Sequence, residues 1–128
     1  MIRTAFLAIA LLAVTGSGAF GADHKHLEAV YQNFWCEEKG GHKEVTLKDG
    51  TRADCVTATH AVEVNHARQW ADGIGQALHY ALQTGKTAGI VLILETPGDL
   101  KYWDRLNATV QHFKLPVDIW QIKPEDLN

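Results

Sequence analysis

Proline and cysteine are both scarce in this chain, with three prolines and two cysteines in 128 residues. With only eleven glycines beside them, a collagen-like or linker-dominated protein is excluded. The two cysteines, Cys36 and Cys55, form no C-x-x-C, which excludes a thioredoxin-like redox pair and a zinc knuckle. Basic charge is short as well: 12 Lys and Arg stand against 15 Asp and Glu, for a net charge of −3. Binding a polyanion by bulk charge is therefore disfavoured, and contact with nucleic acid would need a local patch. Internal repeats and low-complexity segments are absent. What is there is 46% hydrophobic, 21% charged and 9% aromatic, the composition of one globular domain rather than a disordered chain.

The N-terminus stands apart from that domain. Arg3 precedes an eleven-residue uncharged run, Thr4 to Val14, and small residues follow from Thr15 to Ala19. Residues 1–22 read as an export signal, with small residues placed for cleavage after Ala19 or after Gly21. The run is too short to span a bilayer, which takes roughly 20 apolar residues, and no second such run follows. The expectation is a single domain over residues 23–128, exported to the periplasm or secreted, without membrane association once the signal is removed. Loss of Arg3 makes it slightly more acidic. In an oxidising compartment two cysteines most simply form one structural disulfide, Cys36–Cys55.

Hydrophobic periodicity predicts the elements. Leu27, Val30, Tyr31, Phe34 and Trp35 make a helical stripe that Gly40-Gly41 ends. Lys43–Leu47, the Asp49-Gly50 turn and the segment from Arg52 read as a hairpin. A second hairpin runs through Thr57–His60 into Ala61–Asn65. A stripe from Ala67 to Ala81 predicts a helix closed by Gly85, and the unbroken apolar run Gly89–Leu94 predicts a strand covered on both faces. A helix carrying Leu100, Trp103, Leu106 and Val110 and a last strand, Val117–Ile122, complete the order α-β-β-β-α-β-α-β. The class is α/β, a mixed sheet with helices on both faces. The polar tail after Pro124 is expected to fray.

Chemistry is expected on the second hairpin. About its centre, between Ala58 and Thr59, Asp54 and Glu63 are equidistant, so a symmetric turn sets them directly opposite one another. Alternation places Arg52, Asp54, Val56, Ala61, Glu63 and Asn65 on one face, with Arg52 opposite Asn65. Ala53, Cys55, Val62 and Val64 fall on the other, core-facing side. Facing carboxylates repel unless a proton or cation lies between them, and a hard dication suits the pair. On the next helix, Gln76 and Tyr80 are spaced i, i+4 on a stripe beside the apolar face.

These residues resemble the PD-(D/E)xK nuclease superfamily, the restriction-endonuclease-like fold, and within it the RecB-type branch with a Gln-x-x-x-Tyr helix. Asp54, Glu63-Val64-Asn65 and Gln76-Ala77-Leu78-His79-Tyr80 stand at matching places, over a resemblance of roughly residues 26 to 122. It implies an αβββαβ core and a site of Asp54, Glu63, Asn65, Gln76 and Tyr80. Asp54 and Glu63, with the Val64 carbonyl, would hold magnesium or manganese, for phosphodiester hydrolysis of DNA or another nucleic acid. Glu28 on the first helix is a further candidate ligand, as an acidic residue there is in some relatives. The family's lysine is replaced by Asn65, which removes a positive charge from the phosphate and the attacking water. Arg52 and Lys86 are the candidates to replace it. Phosphate contacts would fall to Arg52, Arg68, Lys86 and Arg105.

Two other readings stay open: a catalytically inactive nuclease-fold protein that binds a partner in the periplasm, and an unrelated exported α/β domain, including a histidine-dependent metal binder. The histidines show no H-x-x-x-H or H-E-x-x-H spacing. His60, His66 and His79 are therefore read as surface or core residues, and His24 and His26 as a flexible tail beside the cut site. Trp35, Trp70, Trp103 and Trp120 are expected in the core.

Overall fold

A strand that is apolar on both faces must be covered twice, and the chain is arranged around that requirement. The computed structural model describes residues 24–128, so the expected export signal over residues 1–22 lies outside the described residues. The elements are α1 (Glu28–Glu38), β1 (His42–Thr46), β2 (Arg52–Val56), β3 (His60–His66), α2 (Trp70–Thr84), β4 (Thr87–Ile93), α3 (Leu100–His112) and β5 (Val117–Ile122). Short 3-10 turns precede α2 and α3 and close the chain. The five strands form one mixed sheet in the order β1-β2-β3-β4-β5. The first two pairings are antiparallel, whereas β3–β4 and β4–β5 are parallel.

Alternation along β4 explains the layers. Val91 and Ile93 join Tyr31, Trp35, Val62 and Val64 under α1. Ile90 and Leu92 join Ala77, Leu106 and Val110 under α2 and α3. Two successive crossovers in one direction put α2 and α3 on the same face, and among the described residues α1 is the only α-helix on the other. All four tryptophans pack against these clusters. No helix among the described residues is long and apolar enough to cross a membrane.

Local chemistry sets the ends. Gly40 (φ +64°) and Gly85 (φ +70°) turn left-handed after α1 and α2, where a Cβ would be strained. Cys36 on α1 and Cys55 on β2 form the expected disulfide, with Cα atoms 5.8 Å apart. The tail does not fray: Pro124–Leu127 make a 3-10 turn whose Leu127 packs against the α1-side core. The signal overlooked was the Lys123-Pro124…Asp126 pattern, in which Asp126 Oδ2 accepts the Lys123 N–H at 2.8 Å.

Gly89, in mid-β4, lies under the Trp120 ring; a Cβ there would sit 2.7 Å from Trp120 Cζ3 and 3.1 Å from Val62 Cγ2. Gly89→Ala is accordingly expected to destabilise the fold by about 1–3 kcal/mol through overpacking, read from the midpoint of urea unfolding. An unchanged midpoint would mean that Trp120 moves aside at no cost.

Candidate functional site

The second hairpin has the symmetric register expected of it. Cys55 pairs with Val62 and Val56 with Ala61 about a Thr57–His60 turn, so Asp54 comes opposite Glu63. Beyond those two pairs β2 splays from β3, and a strand N–H left without a carbonyl partner must find another acceptor. Asp54 supplies it: its Oδ2 accepts the Val64 N–H at 2.8 Å. The splay also alters two expectations. Arg52 does not face Asn65 but reaches Glu44, Nε to Oε2 at 2.8 Å. Ala53 packs with Ala61 and Tyr80 instead of joining Cys55, Val62 and Val64.

Glu63 is 5% exposed. Turned so that both ends are satisfied, the Asn65 amide donates from Nδ2 to Glu63 Oε1 and to Val64 O, both at 2.9 Å. Among the described residues Glu63 Oε2 is left buried without a well-formed hydrogen bond, although the Asp54 carboxyl and the Tyr80 hydroxyl lie close to Glu63. Burial first, then the Asp54 carboxylate, pushes the Glu63 carboxyl up to about 9. Asp54 is raised as well, mainly by burial, against the Val64 N–H that favours its charged form. The Tyr80 phenol is held well above its ordinary value by burial and by Glu63.

Glu63, though not Asp54, lines a cavity of about 730 Å³ together with Glu28, Asn65, Gln69, Asp72 and Gln76 among others. Gln76, two turns into α2, stands exposed at its wall, while Tyr80 one turn on is buried behind Glu63. Glu28 joins from α1, raised by its own burial and by Asp54. Gly73 lets α2 pass close, since a Cβ there would lie 3.0 Å from the Asn65 amide. The fold thus brings together Asp54, Glu63, Asn65, Gln76, Tyr80 and Glu28. It does not bring Lys86, whose Nζ donates to the Thr57 carbonyl.

Glu44 went unnoticed in the sequence. It lies on β1 opposite Asp54 of β2, with its backbone left-handed at φ +54°. The buried Gln32 amide of α1 donates both to Glu44 Oε1 and to the Asp54 carbonyl, each at 2.9 Å. A charged residue interrupting an edge strand beside two carboxylates was the only trace.

A second cluster lies at the C-terminal ends of β3 and β4. His24 Nδ1 is 3.0 Å from Glu95 Oε2, and His66 Nδ1 is 3.9 Å from the same oxygen. The two imidazoles stack at 3.6 Å. His24 is therefore not a flexible tail, while His66 is buried, in keeping with its reading as a core residue. Burial of Glu95 acts to raise its carboxyl, but bonds from Tyr31, the His26 N–H and His24 prevail and hold it low. Burial, then His24, lowers His66 and favours neutral imidazole. By contrast, His60 pairs with Asp118 and His79 with Asp49, each at 2.6 Å.

Set against protein-family models, curated proteins and solved structures, the chain finds no match in any of the three.

Proposed function

We propose that the chain is a small exported domain of restriction-endonuclease-like fold whose acidic pocket takes a hard divalent cation, magnesium or manganese, while its hydrolytic machinery is degenerate. One observation carries the reading: the buried Glu63 Oε2, without a well-formed hydrogen bond, beside Asp54. An atom so placed is costly unless a proton or a cation occupies it, and carboxylate oxygens are the donors that hard dications take. Asp54 and Glu63 would hold the ion, with Glu28 at the pocket wall. When bound, the ion supplies a water of lowered pKa and neutralises charge on a phosphoryl oxygen.

The remaining steps belong to the chain's own residues. Gln76 presents an amide to a phosphate of DNA or another nucleic acid, and Tyr80 steadies Glu63 from behind. Asn65 occupies the place of the family's lysine, but its amide is spent on Glu63 and Val64 and brings no charge. Arg52 pairs with Glu44 and Lys86 with Thr57, and neither lines the pocket, so no cation stands at the place of that charge. Cation-dependent binding of a phosphate-bearing partner in the periplasm or outside the cell is therefore favoured over turnover. Full hydrolysis is the second reading, supported by the shared cavity of Glu63 and Gln76, and a magnesium- or manganese-dependent nuclease assay on linear and single-stranded DNA decides it.

The cation site is tested by thermal unfolding with and without magnesium or manganese. Without a cation, the fold keeps the Glu63 proton while the unfolded chain releases it near 4.5, so stability falls as pH rises from there towards about 9. Cations should reverse that loss, raising Tm by more at mildly alkaline than at acidic pH. Glu63→Gln should raise Tm by about 5 °C in the absence of cation at alkaline pH and abolish the cation response. No cation-dependent shift at any pH would refute the site.

A further inference from the structure

We infer that His24, His66 and Glu95 form a second metal site, selective for a borderline transition-metal dication of the zinc class and separate from the acidic pocket. His66 and Val64 point to the α1 side of β3, whereas Glu63 and Asn65 point to the α2 side, and Glu28 lies at the boundary, near Asp54 on one side and near His24 and the His66 backbone on the other. The inference stands whether or not the nuclease-like reading does.

The donor set carries the argument. One ring nitrogen from each histidine and one Glu95 oxygen lie within 4.8 Å of one another, the only such group of three among the described residues. Two imidazoles and a carboxylate suit zinc, whereas magnesium prefers an all-oxygen shell. In tetrahedral zinc with bonds of about 2.0–2.2 Å, ligand atoms stand roughly 3.3 Å apart. The separations of 3.0 and 3.9 Å to Glu95 Oε2 bracket that spacing. Three protein ligands would leave a fourth position for water or an exogenous ligand.

The surroundings hold the carboxylate in place. Glu95 Oε1 accepts the Tyr31 hydroxyl at 2.8 Å and the His26 N–H at 3.0 Å, which leaves Oε2 to the imidazoles. A bonded outer layer of this kind orients metal ligands and strengthens binding. The Glu95 N–H in turn donates to Asp99 Oδ2 at 2.8 Å, anchoring the turn after β4. The three ligands border a cavity of about 100 Å³. It opens at the carboxyl ends of two adjacent parallel strands, where open α/β sheets commonly bind ligands.

Stacked rings do not yet aim both lone pairs at one point. His24, with 40% of its side chain exposed, is free to tilt out of the stack, while His66 and Glu95 are buried and stay in place. An ion there would tie the segment before α1 to the ends of β3 and β4.

The test is zinc titration of the full chain without a polyhistidine tag, by calorimetry, with cobalt(II) as a spectroscopic stand-in. One zinc per chain is expected, and cobalt should give the visible absorption of a tetrahedral nitrogen and oxygen site, unchanged by excess magnesium. His24→Ala removes an exposed ligand with little risk to folding and should weaken zinc binding more than 100-fold, beyond the roughly 10–100-fold cost of losing an outer-layer partner. Tyr31→Phe, which frees Glu95 Oε1, should cost roughly 10-fold. His112→Ala, at the far end of α3, should leave binding unchanged. Zinc binding that survives His24→Ala, or is lost equally in His112→Ala, would overturn the site. So would failure of the unsubstituted chain to bind zinc, leaving Glu95 as the partner of a protonated His24. Because Glu63→Gln removes only the magnesium or manganese response, failure of one site is distinguishable from failure of the other.

Discussion

Asn65→Lys is expected to raise magnesium- or manganese-dependent cleavage of linear DNA by roughly 100-fold over the unsubstituted chain, the scale of one well-placed electrostatic group. Asn65 shares a strand face with Glu63, two residues on, and borders the same cavity. Its amide reaches Glu63 and Val64 but carries no charge. A lysine there would set an ammonium among Glu63, Glu28 and Asp72 in a pocket whose lining includes no basic residue. Carboxylates on three sides would offset the cost of placing that charge near the core. The ammonium would also lower the pKa of Glu63, so that less free energy is lost in removing its proton. Asn65→Gln separates charge from length and should give no gain, while the double substitution with Glu63→Gln should return activity to background. If Asn65→Lys binds the cation yet cleaves no faster than the unsubstituted chain, the nuclease-like reading of this pocket is wrong.

Replacing both Cys36 and Cys55 by alanine is expected to cost about 3 kcal/mol and to lower Tm by roughly 10–20 °C. The disulfide closes a loop between residues 19 apart in sequence and fastens α1, the main cover of its sheet face among the described residues, to β2. Both sulfurs are fully buried, so serine would add an unsatisfied hydroxyl to the loss and alanine is the cleaner substitution. Gly41 crosses close to the bond: a Cβ there would lie 2.5 Å from Cys55 Sγ and 2.9 Å from Cys36 Sγ. The effect should reach the acidic pocket, because Gln32 of α1 holds both Glu44 and the Asp54 carbonyl. Reduced or alanine-substituted protein should therefore lose part of the cation-dependent rise in Tm. Equal Tm for the oxidised, reduced and substituted forms would show that packing of Tyr31 and Trp35 alone holds α1.

Much of this was legible because it is local or symmetric. The Asp54–Glu63 juxtaposition follows from counting outward from one hairpin, and the element order from the periods of the apolar residues. Even there, alternation failed at Ala53 and Arg52, since it assumes a ladder that β2 and β3 keep for only two residue pairs.

By itself, then, the sequence determined the α/β class, the pairing of its only two cysteines and the meeting of two carboxylates across a turn. Short-range geometry and composition suffice for each. Tertiary structure alone decided that Asn65 would spend its amide on Glu63, and that Arg52 and Lys86 would be engaged elsewhere. It alone decided that His24 would meet Glu95, 71 residues away, beside His66. Those contacts depend on the parallel register of β3 and β4 and on where α1 lies across the sheet. Hydrophobic burial sets both over the whole molecule, and no local spacing encodes them.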